Sequence, residues 1–229
     1  MGAAPRKQLS DEVASYLRET IVAGELAPGS SVKAEAVGEL LSVSATPVRE
    51  ALHTLKVEGF LELIPRKGFI VAALRAKDIR DIFEAHGLIA GELAARATVN
   101  SGEEDLQAIQ KIHDEVLAAA SKNDHDLLEK KNHEFHRLIY HLADSERLKW
   151  ALGAFLRYVP RAFYAQIPGW PDTTIRDHTE IMEAMIKGDA EAARQTMGQH
   201  IRNSGEELAE YFEKRQTEAL QDIGEGAER

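Results

Sequence analysis

The composition of this 229-residue chain excludes several kinds of protein. It has no cysteine, so disulfide frameworks, thiolate zinc sites and cysteine nucleophiles are ruled out. The net charge of −10 lies entirely in the second part, because residues 1–75 carry nine Lys/Arg and nine Asp/Glu whereas residues 76–229 carry nineteen and twenty-nine. Residues 1–9 lack the apolar core of a secretory signal and no apolar run could span a membrane, which predicts a cytoplasmic protein.

The first 75 residues have the pattern of three short helices followed by a β-hairpin. Helical spacing of apolar residues predicts helices at about residues 9–24, 33–41 and 46–58. Two short strands are predicted at residues 60–64 and 69–73, on either side of a turn that carries two cations. Because these are the parts of a winged helix, we expect a winged helix-turn-helix domain with a small β-hairpin wing over residues 1–75.

The third predicted helix has a polar face that is suited to DNA. Arg49, His53 and Lys56 lie at i, i+4 and i+7, opposite the apolar side of the helix. Arg66 and Lys67 stand at the tip of the hairpin. A helix fits the major groove and neighbouring cations reach phosphates, so these five residues form a candidate DNA-binding surface. The pattern alone leaves open a solvated charged face on an ordinary small helical domain.

Three segments resemble the DNA-binding domain of the GntR family of bacterial regulators. They are Leu26-Ala27-Pro28-Gly29, the run VSATPVREAL at residues 43–52, and Glu58-Gly59-Phe60. The resemblance covers about residues 8–73, in the order and spacing of the family. It is longer and more specific than a single short motif.

This resemblance assigns roles to particular residues of the third helix and the wing. It implies that Ser44, Thr46 and Arg49 contact DNA at the start of the recognition helix, and that Gly68 lets the wing approach the minor groove. The family usually has an arginine where this chain has Ala45. We therefore expect DNA binding with an altered operator sequence.

Residues 76–229 are predicted to form an all-α bundle. Helices are expected at about residues 77–99, 103–121, 124–143, 145–165, 172–187 and 189–216. The breaks between them contain Gly, Asn, Asp or Pro, and no segment has the alternation of a strand. The predicted fold class is thus mainly α, with a winged helix followed by a helical bundle.

Four polar residues fall within the apolar stripes of the predicted bundle helices. Asn132 and His136 lie one turn apart, and His178 and His200 lie on the last two helices. His178 is ten residues before Gly188 and His200 is twelve after it, so an antiparallel helix pair would place them within about 3 Å of the same height. Such a cluster suits a divalent metal ion such as zinc or nickel. For each histidine taken separately, a hydrogen-bonded core residue is the alternative.

The bundle resembles the FCD domain, which marks the FadR subfamily of GntR regulators. The similar residues are the segments 132–136, 178–181 and 188–189, together with His200. Metal-containing FCD domains use an aspartate and three histidines. The resemblance implies that the three inward histidines are the metal ligands, with Asn132 in the place of the aspartate. An amide oxygen can bind a cation, although it brings no negative charge.

The resemblance also implies an effector site inside the bundle, occupied by a small carboxylate. His86 lies on the inner face of the first bundle helix, where the family often has an arginine that holds the effector. His86 has three interpretations, as an effector contact, an additional metal ligand or a packed core residue. Arg157 and Arg161 are the other candidate effector contacts.

Together these features predict a regulator and not an enzyme. We expect a homodimer that reads a short palindromic operator on double-stranded DNA, and a repressor that the effector releases. The alternative is a metal-dependent hydrolase, but His133-Glu134-Phe135-His136 does not match the H-E-x-x-H motif because Arg137 stands four residues after His133. A dimeric adaptor without an effector is a third interpretation, which the inward histidines disfavour.

Overall fold

The computed structural model describes the backbone and the side chains over different ranges of the chain. Backbone is described for residues 6–73, 75–158, 164 and 167–227, and side chains for residues 9–73, 75–158, 164 and 167–214. The chain divides into two compact units between Arg75 and Ala76. Among the described helices, none is both long enough and apolar enough to cross a membrane.

The first unit contains three helices and a small antiparallel sheet. Its elements in chain order are α1 (Arg6–Val22), β1 (Ser31–Val32), α2 (Ala34–Leu41), α3 (Ala45–Val57), β2 (Leu61–Ile64) and β3 (Gly68–Val71). The strand order is β1-β3-β2, so the predicted hairpin gains a third, two-residue strand. The core side of α3, with Val48 and Leu52, is fully buried.

A close approach of the backbone sets the turn between α2 and α3. A Cβ atom on Gly38 would lie 2.8 Å from the carbonyl oxygen of Val43, so any larger residue would push the turn away. Ser42 ends α2 in the left-handed conformation, with φ of 56°. This sharp turn carries the chain directly into α3, the predicted recognition helix.

The second unit is helical throughout its described part. Its helices are α4 (Ala76–Asn100), α5 (Glu103–Ser121), α6 (His125–Leu142), α7 (Glu146–Phe155), α8 (Trp170–Ile186) and α9 (Ala190–Ala227). The mainly α fold class is confirmed. The long helix expected at residues 145–165 is wrong, because α7 ends at Phe155 and Leu156–Tyr158 form a 3-10 turn.

The helices α4 and α9 pack against each other with little space between them. A Cβ atom on Gly205 would lie closer than 3.0 Å to the side chain of Phe83. A Cβ atom on Gly91 would clash in the same way with the carbonyl oxygen of Arg194. This close packing holds the inner face of α4, including His86, against α9.

Candidate DNA interface and metal centre

The candidate DNA surface is formed by the start of α3 and the turn of the wing. Ser44 is the N-cap of α3, and Thr46 follows in its first turn. All eight residues predicted to contact DNA are exposed to solvent: Ser44, Thr46, Arg49, His53, Lys56, Arg66, Lys67 and Gly68. Arg49 forms an ion pair of 3.1 Å with Glu35 on α2, and both side chains are largely exposed.

The wing turn depends on two residues with positive φ. Arg66 has φ of 67° and Gly68 has φ of 83°, which makes the tight connection between β2 and β3. His53 contacts the second residue of β3, since its ring meets Phe69 edge to face with the centroids 5.1 Å apart. His53 thus links α3 to the wing, in addition to its predicted contact with DNA.

Three histidines meet in the interior of the bundle. His136 on α6, His178 on α8 and His200 on α9 offer ligand nitrogens that all lie within 4.8 Å of one another. The rings of His178 and His200 have centroids 4.8 Å apart, as the antiparallel arrangement about Gly188 predicts. Phe135 stacks on His178 at 4.0 Å and covers one face of its ring.

The donor chemistry of this cluster fits a divalent metal ion. The Nε2 atoms of His136 and His200 lie 3.2 Å apart, so no more than one of them can carry a hydrogen towards the other. Both nitrogens of His178 are buried without a hydrogen-bond partner among the described residues. Burial, followed by the neighbouring imidazoles, holds the pKa values of His136 and His178 well below the usual value. Neutral imidazoles of this kind are good ligands for zinc or nickel.

Asp177, which was not among the residues predicted from the sequence, contacts the cluster through His200. Asp177 Oδ2 lies 3.3 Å from His200 Nδ1 and accepts a 2.9 Å hydrogen bond from Asn203. Burial alone would raise the pKa of Asp177, but hydrogen bonds from His200 and Asn203 outweigh it and lower that pKa. Such a carboxylate orients the imidazole and leaves Nε2 free to bind metal. The sequence offered one indication of an inward position, because Asp177 directly precedes His178 and lies four residues before the apolar Ile181.

A small cavity of about 60 Å³ adjoins two of the three histidines. Its polar lining consists of His86, Asn132, His133, His136, His200 and Ser204. Its apolar and aromatic lining consists of Phe83, Tyr140, Leu156, Tyr164, Trp170 and Ile201. The Oδ1 atom of Asn132 is buried and has no hydrogen-bond partner in the described part of the chain. Asn132 is therefore positioned one turn before His136 with an unused oxygen ligand.

Two family models match the chain in the order predicted from its motifs. The model of bacterial regulatory proteins of the gntR family matches residues 9–71, and the FCD domain matches residues 81–203, which is more than half of the chain. The chain belongs to the GntR family. It is a transcription regulator that combines the GntR helix-turn-helix domain with an FCD domain.

Curated relatives of this GntR regulator resemble it over nearly their whole length. The HTH-type transcriptional regulator YdhC of Bacillus subtilis is 26% identical over 87% of this chain and 91% of its own. The HTH-type transcriptional repressor RspR of Escherichia coli is 27% identical over 89% and 90%. These matches span both units of the chain.

Solved structures of similar proteins support the same fold. The E. coli protein McbR/YncC has a TM-score of 0.68 and 23% identity, and the match covers 89% of this chain and 98% of that one. A GntR family member from Pseudomonas syringae pv. tomato has a TM-score of 0.56 and 20% identity, with 94% and 91% covered. At these identities the likeness concerns the fold alone.

The predicted effector contacts of this regulator lie in different environments. His86 lines the cavity and is buried. Arg157 lies in the 3-10 turn after α7, where it is exposed and is not one of the residues that line the cavity. A contact of Arg157 with the effector stays a prediction. Arg161 lies outside the described residues.

Proposed function

We propose that this regulator is a homodimeric repressor whose operator binding is released by a small carboxylate bound beside a divalent metal ion. The observation that carries the proposal is the set of three imidazoles inside the bundle, two of them buried, whose ligand atoms lie within 4.8 Å of one another next to a cavity. A regulator of this kind works where the chromosome lies, so we place it in the cytoplasm.

The DNA-binding half of the proposal rests on the exposed face of α3 and the wing. A two-fold symmetric dimer presents two recognition helices and therefore reads a palindromic site. Lys56, Arg66 and Lys67 supply phosphate contacts, which give affinity with little sequence information. Arg49, near the N-terminus of α3, supplies base readout in the major groove.

The ligand-binding half rests on the histidine cluster. His136, His178 and His200 would hold zinc or nickel, with Asn132 as a neutral fourth ligand. The bound ion would supply a positive charge that attracts the carboxylate of the effector. Asp177 and Tyr140 hold two of the imidazoles through their Nδ1 atoms, at 3.3 and 3.4 Å. This outer set of contacts keeps the Nε2 atoms directed inwards.

The effector acts only through its preference between two arrangements of the dimer. Such coupling free energies are typically about 1–3 kcal/mol, which corresponds to a roughly 5- to 150-fold change in operator affinity. In the hydrolase alternative, the general base would be the glutamate that follows the first histidine of an H-E-x-x-H motif. Glu134, the residue after His133, is held by Lys131 at 2.7 Å.

The proposal is tested with the full-length protein and DNA selected from a random duplex library. We expect the selected sites to be palindromic and the protein to contain about one metal ion per chain. The double variant His178→Ala/His200→Ala should lose the metal and its response to carboxylates, while still binding the selected DNA. A matched control is His125→Ala/His141→Ala, which removes two exposed histidines of α6. Full metal occupancy in His178→Ala/His200→Ala would refute the metal site. Selection of DNA without any sequence preference by the wild-type protein would refute binding to a specific operator.

A further inference from the structure

The wing is buried at its base and exposed towards its turn. Leu61 and Val71 face each other across β2 and β3, and both are buried. Residues 63–69, here called the outer wing, are exposed or half-buried, and they begin with Leu63 opposite Phe69. A short hairpin by itself is only marginally stable in water. The position of the outer wing therefore depends on the contacts that it makes with the rest of the unit.

His53 on α3 contacts the outer wing through a ring interaction. The imidazole meets Phe69 edge to face, with an interplanar angle of 87° and the centroids 5.1 Å apart. Aromatic rings in this arrangement attract each other beyond the burial of their area. Phe69 directly follows Gly68, so the contact lies next to the turn that carries Arg66 and Lys67. The ring contact thus connects α3 to the part of the wing that carries its cations.

His53 stands late in α3 for a residue that reads bases. A recognition helix contacts base edges mainly with its N-terminal residues. Since α3 begins at Ala45, Arg49 is its fifth residue and His53 its ninth. The cations of the wing turn are suited to phosphates, which carry no direct sequence information. The ring contact therefore gives His53 a way to increase DNA affinity that requires no contact with a base.

We propose that His53 is a positioning residue for operator binding, which holds the outer wing through Phe69 so that Arg66 and Lys67 reach the DNA phosphates. His53 contributes to operator affinity through the wing and not by reading a base. The inference deepens the proposed function and rests on it, because it requires that the wing contacts the operator. It does not depend on the metal ion or the effector, which concern the second unit.

Two substitutions of His53 separate the ring contact from a base contact. His53→Phe keeps a ring against Phe69 without any hydrogen-bonding atom, whereas His53→Gln keeps a donor and an acceptor without the ring. Fluorescence anisotropy with the selected operator measures the affinity of the full-length protein. We expect His53→Phe to bind within about threefold of wild type and His53→Gln to bind about tenfold or more weakly, since both protomers lose the ring contact. The reverse order, or equal affinities of the two variants, would overturn the inference.

The salt dependence of binding shows whether the lost affinity belongs to phosphate contacts. The logarithm of the association constant falls linearly with the logarithm of the salt concentration, and each lost phosphate contact makes this slope shallower by about one. His53→Gln should make the slope shallower by about two or more, because Arg66 and Lys67 are present on both wings of the dimer. A wild-type slope in His53→Gln would overturn the inference.

A double-mutant cycle tests whether His53 acts on the wing cations. Lys67→Gln should weaken operator binding by about threefold or more in wild type and by clearly less in the His53→Gln background, where the lysine is no longer held in place. Ser44→Ala is the matched control, because Ser44 is a predicted DNA contact at the other end of α3 and its side chain makes no capping hydrogen bond. The control should weaken binding equally in both backgrounds. An equal effect of Lys67→Gln in both backgrounds would overturn the inference.

The DNA selected by the wild-type protein separates this inference from the proposed function. Selection without sequence preference would refute the proposed operator, and the inference with it, since the wing would have no operator to contact. A specific site for wild type, followed by the wrong order of His53→Phe and His53→Gln, would refute only the role of His53.

Discussion

The two units of this regulator place their functional residues in opposite environments. In the first unit the DNA-binding candidates lie on the surface, and Arg49 and its partner Glu35 are 64% and 68% exposed. In the second unit His86, His178 and His200 are at most 3% exposed. The surface site keeps its charges in water, whereas burial lowers the pKa values of His86 and His178 and keeps these two imidazoles neutral.

This difference determines what a substitution does in each unit. A surface cation can be removed without leaving a buried partner unsatisfied, so its loss affects DNA binding and little else. An interior residue is connected to several neighbours, so its loss changes ligand binding, packing or both. Four predictions test this contrast, from the largest expected effect to the smallest.

The largest effect is expected on the surface. Arg49→Ala should weaken binding to the selected operator by about 1–3 kcal/mol for each protomer, because base readout in both half-sites is lost. The thermal midpoint and the zinc content should stay unchanged. Fluorescence anisotropy with labelled operator measures the affinity, and Arg96→Ala on α4 is a control for an exposed arginine in the other unit. Wild-type operator affinity in Arg49→Ala would contradict the assignment of α3.

The second prediction concerns the carboxylate behind the metal cluster. Asp177→Asn should lower zinc affinity by about 10- to 100-fold, because the amide holds His200 without supplying negative charge. Competition with a chelator of known affinity measures the change. Asp172→Asn removes an exposed acid from the same helix and should leave zinc affinity unchanged. Equal loss in both variants would show that net charge, and not the contact with His200, is responsible.

The third prediction concerns the packing of the bundle. Gly205→Ala should lower the free energy of unfolding by about 1–3 kcal/mol, since the new methyl group would overlap Phe83. Gly153→Ala on α7 should instead raise it by up to about 1 kcal/mol, because a Cβ atom there meets nothing within 4 Å and alanine favours helix. Urea unfolding followed by circular dichroism compares the two. The same sign in both variants would contradict the close contact of α4 and α9.

The smallest effect is expected for the partner of Arg49. Glu35→Gln should raise operator affinity by about fivefold or less, since the guanidinium no longer has to leave a carboxylate. Glu39→Gln makes the same change of charge on α2, but the ion pair of Arg49 is with Glu35. The gain in Glu35→Gln should exceed that of Glu39→Gln. Equal gains in operator affinity would mean that the net charge of the first unit, and not the ion pair of Arg49 with Glu35, limits DNA binding.

The sequence by itself determined which helix faces carry the clustered histidines and which carry the candidate DNA contacts. Helical periodicity assigned His136, His178 and His200 to apolar stripes, because a stripe is a local property of one helix. The spacing about Gly188 placed two of them at one height. The same reasoning assigned Arg49 and Lys56 to a solvent-exposed face of α3.

The tertiary structure decided which of these faces meet, and what lies between them. Asp177 acquires its role only because α9 brings His200 and Asn203 against it. Trp170 and Tyr164 join His86 around one cavity although they are far from it in sequence, and α7 ends at Phe155, well before the predicted residue 165. The physical reason is that helix ends and interhelical neighbours depend on packing between distant segments, which no local pattern of residues encodes.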